Sequence, residues 1–357
     1  MFVRLLSRVV ALMAAVGAAQ AATVVYVSNA DSQEISVLAL DRSNGELKPI
    51  ETVAVGGTAM PMALSPDRRL LYVALRSQPF RVVTFAIDPA SGKLNKRGEA
   101  ALADSMANID VDRTGRWLFA ASYGGHKITV NAIGQDGNVG AVQQLLATAP
   151  NAHAIHADAA NRYVLATSLG GDNVSVWRFD AATGKLAANE PALVNAPAKM
   201  GPRHFIWDAA QRHAYLLGEL DASLIVYDWD AARGTLREAQ RLSALPGGFN
   251  GGAPWAADLH LTPDGRFLYA SERRSSTLAI YKVDAASGQL ALVGHEPTEK
   301  TPRGFAIDPA GRYLIAAGQD SHGVTVYAID ATSGALKPLG RTPLGKNPNW
   351  VEIVDLP

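Results

Sequence analysis

An internal repeat of 45–54 residues runs through nearly the whole sequence and restricts the folds that are open to it. One element of the repeat is an apolar strand followed by a glycine turn, as in VSVWRFDAATGKL and LAIYKVDAASGQL. The seven turn glycines are Gly45, Gly92, Gly137, Gly184, Gly234, Gly288 and Gly334. A second element, found in six repeats, is a polar turn that ends in arginine and precedes alternating apolar residues. These arginines are Arg69, Arg116, Arg162, Arg212, Arg266 and Arg312.

Together the two elements give each repeat about four strands, because apolar alternation between turn signals every 8–12 residues is typical of antiparallel sheets. A repeat of this length with four strands is the sequence signature of a β-propeller. We therefore predict an all-β, seven-bladed β-propeller with four-stranded antiparallel blades. The turn arginines recur at one register, so we expect them to cap turns or bridge neighbouring blades rather than to act in catalysis.

The two ends of the repeat region complement each other. TVVYVSN near the start reads as the second strand of a blade that lacks its first, and NWVEIV near the end reads as an isolated first strand. We predict that Trp350–Val354 pairs beside Val24–Ser28 and closes the ring, which removes free sheet edges. Residues 22–357 are then expected to form a single domain.

The first 21 residues have the pattern of a secretory signal peptide. Arg4 and Arg8 precede an apolar run from Val9 to Ala19, and Ala19-Gln20-Ala21 supplies a small-residue cleavage site. We expect cleavage after Ala21 and a periplasmic protein without membrane attachment, since the apolar run is short for a membrane span.

Composition excludes several classes of partner and chemistry. Lys+Arg and Asp+Glu both number 33, so a net charge of zero gives no basic surface for nucleic acid. The chain has no cysteine, which excludes disulfides, thiolate metal sites and a thiol nucleophile. We expect no nucleic-acid or membrane partner and a small-molecule substrate.

Aligning the repeats on the turn arginine reveals two columns whose chemistry varies from blade to blade. Both belong to loops that open on one face of a propeller, here called the top face, around the central channel. Nine residues before the arginine stand Met60, Ala107, His153, Arg203, Ala257 and Arg303. Seven residues after it stand Arg76, Tyr123, Leu169, Glu219, Arg273 and Gln319.

The polar members of these columns predict a site for an anion or a developing oxyanion. Arginines can hold a carboxylate, a phosphate or an oxyanion through several donors. We expect Arg203 and Arg273 to contact the oxygens of the reacting group, with Glu219 as the preferred general base and His153 as the second choice. Such a set suits hydrolysis of an activated ester without a covalent intermediate. A solvated network of ion pairs is the structural alternative.

Further side chains are expected around this site in binding roles. Asp258 lies one residue beyond the first column, and a cation shared by Asp258 and Glu219 is conceivable, although no ligand spacing requires a metal or other cofactor. His156 and His260 share one register, which favours packing or hydrogen bonding. The predicted substrate-binding residues are His204, Trp255, Asp258, Arg303, Gln319 and His322.

Several motifs, in a fixed order, resemble the seven-bladed lactonase family, which includes bacterial propeller-type 6-phosphogluconolactonases. They include GPRHFIWD, PWAADLHLTPDGRFLYASER, PRGF and AAGQDSH, and the resemblance covers nearly all of the chain after residue 21. It implies hydrolysis of a sugar δ-lactone. A histidine, two arginines and a glutamate proposed to act in that family correspond to His153, Arg203, Arg273 and Glu219.

The signal peptide is a departure, because the bacterial 6-phosphogluconolactonases that the chain resembles are cytoplasmic. We therefore expect an exported lactonase for glucono-1,5-lactone or its 6-phosphate. Two alternatives stay open: a non-catalytic periplasmic propeller that binds a partner at its top face, and a muconate-lactonising type of cycloisomerase.

Overall fold

The computed structural model describes residues 22–356, which form 28 strands in seven four-stranded antiparallel sheets. The prediction of a seven-bladed β-propeller with four-stranded blades is confirmed. The predicted signal peptide lies outside the described residues.

Each blade is one sheet, and its first strand lines the central channel. Blade 1 contains β1 (Thr23–Asn29), β2 (Glu34–Leu40), β3 (Leu47–Ala54) and β28 (Pro348–Asp355). Blade 2 contains β4 (Ala59–Leu64), β5 (Leu70–Leu75), β6 (Arg81–Ile87) and β7 (Leu94–Ala101). Blade 3 contains β8 (Met106–Val111), β9 (Trp117–Ser122), β10 (Lys127–Ile133) and β11 (Val139–Ala147). Blade 4 contains β12 (Ala152–Ala157), β13 (Tyr163–Ser168), β14 (Asn173–Asp180) and β15 (Lys185–Asn195).

The remaining three blades follow the same order. Blade 5 contains β16 (Pro202–Trp207), β17 (His213–Gly218), β18 (Ser223–Asp230) and β19 (Thr235–Ser243). Blade 6 contains β20 (Ala256–Leu261), β21 (Phe267–Glu272), β22 (Thr277–Val283) and β23 (Leu290–Pro297). Blade 7 contains β24 (Pro302–Ile307), β25 (Tyr313–Gly318), β26 (Gly323–Ile329) and β27 (Leu336–Pro343).

The ring closes in blade 1, where the C-terminal strand β28 pairs antiparallel with the N-terminal strand β1. Val24 lies opposite Val354, and Ser28 lies opposite Trp350. This confirms the predicted pairing of Trp350–Val354 with Val24–Ser28.

The apolar core is divided among the interfaces between neighbouring blades. Second strands are covered on both faces, so β9 and β13 are buried along their whole length. Fourth strands such as β7 alternate between exposed and partly buried residues, as expected at the outer edge of a sheet. Within residues 22–356 the buried side chains form seven clusters, each shared by two adjacent blades.

The glycine turns dock each blade onto its neighbour. Gly184 has φ +70°, and a Cβ atom at this position would overlap the Trp117 ring of the preceding blade, so a side chain is excluded both by conformation and by space. Arg116 donates to the carbonyl oxygen of Ala181 in the same turn at 2.6 Å. The seven equivalent contacts pair Gly45 with Tyr313, Gly92 with Val24, Gly137 with Leu70, Gly184 with Trp117, Gly234 with Tyr163, Gly288 with His213, and Gly334 with Phe267.

Turn arginines bridge blades in this way at three interfaces. Besides Arg116, Arg162 donates to Ala231 O at 2.5 Å and Arg212 donates to Ala285 O at 2.9 Å. The expectation of a structural role is confirmed for these three arginines. In the part of the chain that the structure describes, no helix is long and apolar enough to cross a membrane.

Deleting residues 348–357 should abolish cooperative folding or lower the unfolding free energy by more than about 4 kcal/mol. The deletion removes the partner of β1 and takes Val351, Val354 and Leu356 out of the two core clusters that flank blade 1. Urea unfolding of a chain that begins at Ala22, followed by circular dichroism, measures the loss. A matched chain that lacks only Pro357 should unfold like the parent, and an unchanged urea midpoint for the long deletion would contradict the closure.

Candidate active site

The first predicted column lies in a ring of β-bulges at the top of the channel. The register between β16 and β17 shifts between Pro202 and His204, which leaves Arg203 as an extra residue in the inner strand. A bulge re-aims the side chain that it carries, and such bulges are common next to active sites. The inner strands of the other blades show register shifts at the same place, and these contain Met60, Ala107, His153, Ala257, Arg303 and Asn349.

Hydroxyl groups satisfy backbone donors that the bulges remove from the ladder. Ala154 N–H donates to Thr167 Oγ1 at 2.9 Å, and Asp258 N–H donates to Ser271 Oγ at 3.0 Å. Thr167 Oγ1 in turn donates to the carbonyl oxygen of Arg203 in the next blade at 2.7 Å. The bulged backbone is thereby held in place without a regular ladder.

The second column follows directly after the second strands and is tied to the first by backbone hydrogen bonds. Glu219 N–H donates to Gly201 O at 2.8 Å, and Arg273 N–H donates to Trp255 O at 3.1 Å. Each acceptor lies two residues before a bulge residue, so this bond brings the two columns together. Gly201 has φ +65°, a conformation that glycine adopts without strain.

Glu219 is the carboxylate on which the site converges. Its Oε2 atom lies 2.7 Å from Arg203 Nε and 2.9 Å from a terminal nitrogen of Arg273. Its Oε1 atom accepts a hydrogen bond from Trp255 Nε1 at 3.2 Å. Although burial opposes ionisation, Arg203 and Arg273 hold the pKa of Glu219 below its usual range. Glu219 is therefore an ionised and well-bonded acceptor.

Both arginines that bind Glu219 are buried and fully engaged. Arg203 and Arg273 are 1% and 3% exposed, respectively. Arg203 also donates to the carbonyl oxygen of Ala257, and Arg273 donates to the carbonyls of Trp255 and Ala256 at 3.0 and 3.1 Å. The Arg273 guanidinium stacks 3.8 Å from the centre of the Trp255 ring. Burial and the nearby Arg203 lower the pKa of Arg273 to about 9, so it stays charged at neutral pH.

Two further arginines complete what we call the arginine cluster, which consists of Arg76, Arg203, Glu219, Arg273 and Arg303. Arg76 donates to Ser105 Oγ at 2.9 Å. The half-buried Arg303 makes no hydrogen bond or ion pair with any residue in the range 22–356. Its pKa is lowered by burial and by the other three guanidinium groups. The cluster thus holds four guanidinium groups and one carboxylate, and its unpaired cation is Arg303.

His153 lies beside this cluster as a neutral imidazole. It is 3% exposed, and its ring packs edge-on against Tyr123 and His204. Burial and the nearby Arg203 hold the pKa of His153 well below its usual range. Its Nδ1 atom is fully enclosed and has no hydrogen-bond partner among the described residues.

A pair formed across blades 5 and 6 lies directly next to His153. His204 Nδ1 is 2.8 Å from Asp258 Oδ1, and His260 Nε2 is 3.2 Å from the other oxygen of the same carboxylate. Burial and Arg203 lower the pKa of His204 to about 4. Burial opposes ionisation of Asp258, but the two histidines hold its pKa far below the usual range. The structure thus brings His204 and Asp258 against the predicted catalytic residues.

Comparison with known proteins gives the fold and its site a family. The model of the family described as "Lactonase, 7-bladed beta-propeller" matches residues 19–353. The chain belongs to the seven-bladed β-propeller lactonase family. The predicted enzyme class, a lactone hydrolase, is confirmed with it.

Relatives of this lactonase are found among curated sequences and among solved structures. It is 44% identical over 285 residues to a protein of Pectobacterium carotovorum named 6-phosphogluconolactonase, covering 80% of this chain and 84% of the relative. The structure of a periplasmic gluconolactonase of Pseudomonas aeruginosa superposes with a TM-score of 0.88 at 31% identity, covering 94% of this chain and 100% of the other. A putative 6-phosphogluconolactonase of Bacteroides fragilis has a TM-score of 0.87 at 25% identity, with coverage of 94% and 98%.

Two predicted binding residues of the lactonase lie apart from the arginine cluster. Gln319 Nε2 donates to Asn347 Oδ1 at 2.6 Å, and His322 Nδ1 accepts from Asn347 N–H at 3.2 Å. His322 is exposed in the turn between β25 and β26. Across residues 22–356 neither side chain hydrogen-bonds to the cluster, whereas Trp255 contacts both Glu219 and Arg273.

The carboxylates of the lactonase site are bonded to basic groups. In the described range 22–356, no group of three or more His, Asp or Glu side chains is placed to hold a metal ion. Glu219 binds two arginines, and Asp258 binds two histidines.

Below the arginine cluster, the inner strands enclose a cavity of about 340 Å³ in the channel. It is lined by polar side chains that the sequence prediction missed. Asp110 Oδ2 lies 3.2 Å from His156 Nδ1, and Trp350 Nε1 donates to Glu352 Oε1 at 2.9 Å. A third column, six residues before the turn arginine, would have found Asp110 together with His156 and His260. Burial raises the pKa of Glu352 to about 7.

Glu352→Gln should raise the stability of the lactonase relative to wild type as the pH increases. The unfolded carboxyl group loses its proton near pH 4.5 and the folded one near pH 7, so the wild type loses stability through this window. The amide mimics the protonated acid and should escape a loss of up to about 3 kcal/mol. Urea unfolding of both proteins at pH 5 and pH 8 measures the difference. A stability difference that is the same at both pH values would contradict the raised pKa.

Proposed function

We propose that this chain is an exported lactonase that hydrolyses an aldono-1,5-lactone, with glucono-1,5-lactone and its 6-phosphate as candidate substrates. The observation that carries the proposal is the pairing of an unbonded guanidinium, Arg303, with a neutral imidazole, His153, at the mouth of the channel. Ester hydrolysis needs a cation or donor at the developing oxyanion and a base for water. Relatives named 6-phosphogluconolactonase and gluconolactonase support this substrate class.

The charge of the site supports a substrate that carries an anionic group. The arginine cluster has four guanidinium groups, and its carboxylate already binds two of them. Arg76 and Arg303 are therefore available for a phosphate or for the carboxylate of the product. Arginine is well suited to both anions because its donors match their geometry.

Burial supports a division of labour among the arginines that differs from the sequence expectation. Arg203 and Arg273 have little exposed area and already bind Glu219 and backbone carbonyls. We assign the developing oxyanion to Arg303, which has its donors free, and give Arg203 and Arg273 the role of fixing Glu219. In this role the carboxylate accepts hydrogen bonds from substrate hydroxyl groups.

The hydrogen bonds of the two candidate bases support His153 over Glu219. Both oxygens of Glu219 are bonded, and the adjacent cations disfavour its protonation. His153 is neutral, so it can take a proton. In the proposed reaction, His153 removes a proton from water as the water oxygen bonds to the lactone carbonyl carbon. The oxyanion then collapses, the bond to the ring oxygen breaks, and His153 returns the proton to that oxygen.

A pH-stat assay of the chain that begins at Ala22 tests this function. Wild type should release acid from glucono-1,5-lactone, its 6-phosphate, or both, faster than a buffer blank, and chelator should make no difference. His153→Ala should lower kcat by about 10²–10⁴-fold, the usual contribution of a general base. Glu219→Gln should act mainly on KM, because Glu219 is assigned to substrate hydroxyl groups.

Thermal unfolding of each variant controls for misfolding, since removing one partner of a buried ion pair is destabilising. A wild-type rate equal to the blank on both lactones would overturn the lactonase proposal. Turnover of a carboxymuconate lactone alone would favour the cycloisomerase alternative. Folded His153→Ala with a wild-type kcat would refute the base assignment alone.

Export is the second part of the proposal. It is supported by the charged, apolar and small-residue pattern of residues 1–21 and by the periplasmic origin of the Pseudomonas aeruginosa structure. Expression of the full chain in a Gram-negative host should yield periplasmic protein whose N-terminal sequence begins at Ala22. A chain that lacks residues 2–21 should remain in the cytoplasm. Recovery of the full chain from the cytoplasm with Met1 intact would exclude export.

A further inference from the structure

Two enclosed ring nitrogens face each other's neighbourhood at the top of the channel. His153 Nδ1 and His204 Nε2 are both buried and have no hydrogen-bond partner within residues 22–356. Their rings are in contact, with centroids 5.1 Å apart and planes inclined at 63°. This separation places the two imidazoles within hydrogen-bond reach of each other. Buried polar atoms are rarely left unpaired, so these two nitrogens call for a shared explanation.

Asp258 determines where the hydrogens of this group lie. Its carboxylate is ionised, so it can only accept hydrogen bonds. It therefore accepts from His204 Nδ1–H at 2.8 Å and from His260 Nε2–H at 3.2 Å. His204 has a pKa of about 4 and is neutral at pH 7, so its single hydrogen is on Nδ1. The enclosed Nε2 atom of His204 is then a lone-pair acceptor.

The tautomer of His153 follows from the acceptor beside it. His153 is also neutral and carries one hydrogen. Placing that hydrogen on Nδ1 lets it donate to His204 Nε2, which pairs both enclosed nitrogens with one hydrogen bond. Nε2 of His153, which is not enclosed in the described structure, then keeps its lone pair.

We propose that Asp258, His204 and His153 form a hydrogen-bonded relay that keeps the hydrogen of His153 on Nδ1 and leaves its Nε2 atom as the base. This inference rests on the proposed function. His153 is the catalytic residue of the relay, whereas His204 and Asp258 are positioning residues that act through it. None of the three roles involves a metal or a redox step.

The relay also supplies the negative charge that His153 needs during the reaction. When Nε2 takes the proton of the attacking water, an imidazolium forms beside Arg203, Arg273 and Arg303, which all disfavour it. The chain through His204 links this cation to the carboxylate of Asp258. The proton stays on Nε2 until the lactone ring oxygen leaves and receives it, so no proton has to move along the relay.

The charged groups around His204 are consistent with a relay that is fixed rather than titrating. Arg203 and His156 lower the pKa of His204, and Asp258 raises it in part. On the other side of the carboxylate, Asp258 raises the pKa of His260 although burial opposes it. His260 therefore keeps its hydrogen bond to Asp258 and helps to hold the carboxylate in one orientation.

Asp258→Asn tests the relay, with Asp110→Asn as the matched control. The asparagine side chain can donate to His204 Nδ1 and so favours the wrong tautomer. We expect kcat to fall by about 10–100-fold, as for other outer partners that orient a functional histidine, with little change in KM. Asp110 forms the equivalent pair with His156, 3.2 Å away in the channel wall, and lies outside the relay. Asp110→Asn should keep wild-type kcat.

A second measurement reports the tautomer directly. In ¹⁵N-histidine-labelled protein, with His153 assigned from its loss in His153→Ala, the long-range ¹⁵N–¹H NMR spectrum should show the hydrogen on Nδ1. Asp258→Asn should shift His153 toward the other tautomer and lower the basic arm of the pH profile of kcat/KM. His204→Gln, which cannot relay the charge, should behave like Asp258→Asn. Thermal unfolding verifies that each variant is folded.

The outcomes separate the relay from the function on which it rests. An unchanged His153 tautomer in folded Asp258→Asn would overturn the relay, even if activity fell. Equal kcat values for Asp258→Asn and Asp110→Asn would overturn it as well. Wild-type kcat in His153→Ala would instead remove the base from the proposed function, and the NMR spectrum would still report whether the hydrogen is held on Nδ1.

Discussion

The docking of one glycine turn onto the next blade is the contact on which the rest of the structure depends. Seven such contacts join neighbouring blades, and the contact between Gly45 and Tyr313 joins the first blade to the last. The site is assembled from blades 4, 5, 6 and 7, so its distances hold only while the docking angles hold. The pairing of β28 with β1 fixes those angles by closing the ring.

The arginine cluster is better understood as a means of orientation than as a source of stability. Burying Arg203 and Arg273 removes two cations from water, and a buried ion pair often fails to recover that cost. What the arrangement achieves is a Glu219 carboxylate with a single position, held by Arg203, Arg273 and Trp255. A rigid carboxylate of this kind suits a site that must recognise a polyhydroxylated ring.

Sequence reasoning predicted the fold well and the site in part, for physical reasons that differ. The repeat length and apolar alternation determine blade number, strand order and closure, because each blade must bury the same faces. Register alone brought His153, Arg203 and Glu219 to one face. It could not show that Arg203 is saturated by bonds while Arg303 is free, since these depend on rotamers and contacts between blades. Asp110 was missed because its partner His156 is 46 residues away in the next blade.

The ring of bulges has a consequence for how such a protein changes over evolutionary time. Arg203, Arg303 and Ala107 are extra residues in their strands and have no register partner in the adjacent strand. Replacing one of them alters what the channel presents without disturbing strand pairing. Each blade therefore offers one position where a new ligand preference can arise independently of the other six. Drift at these positions lets one scaffold acquire different substrates while its folding instructions remain intact.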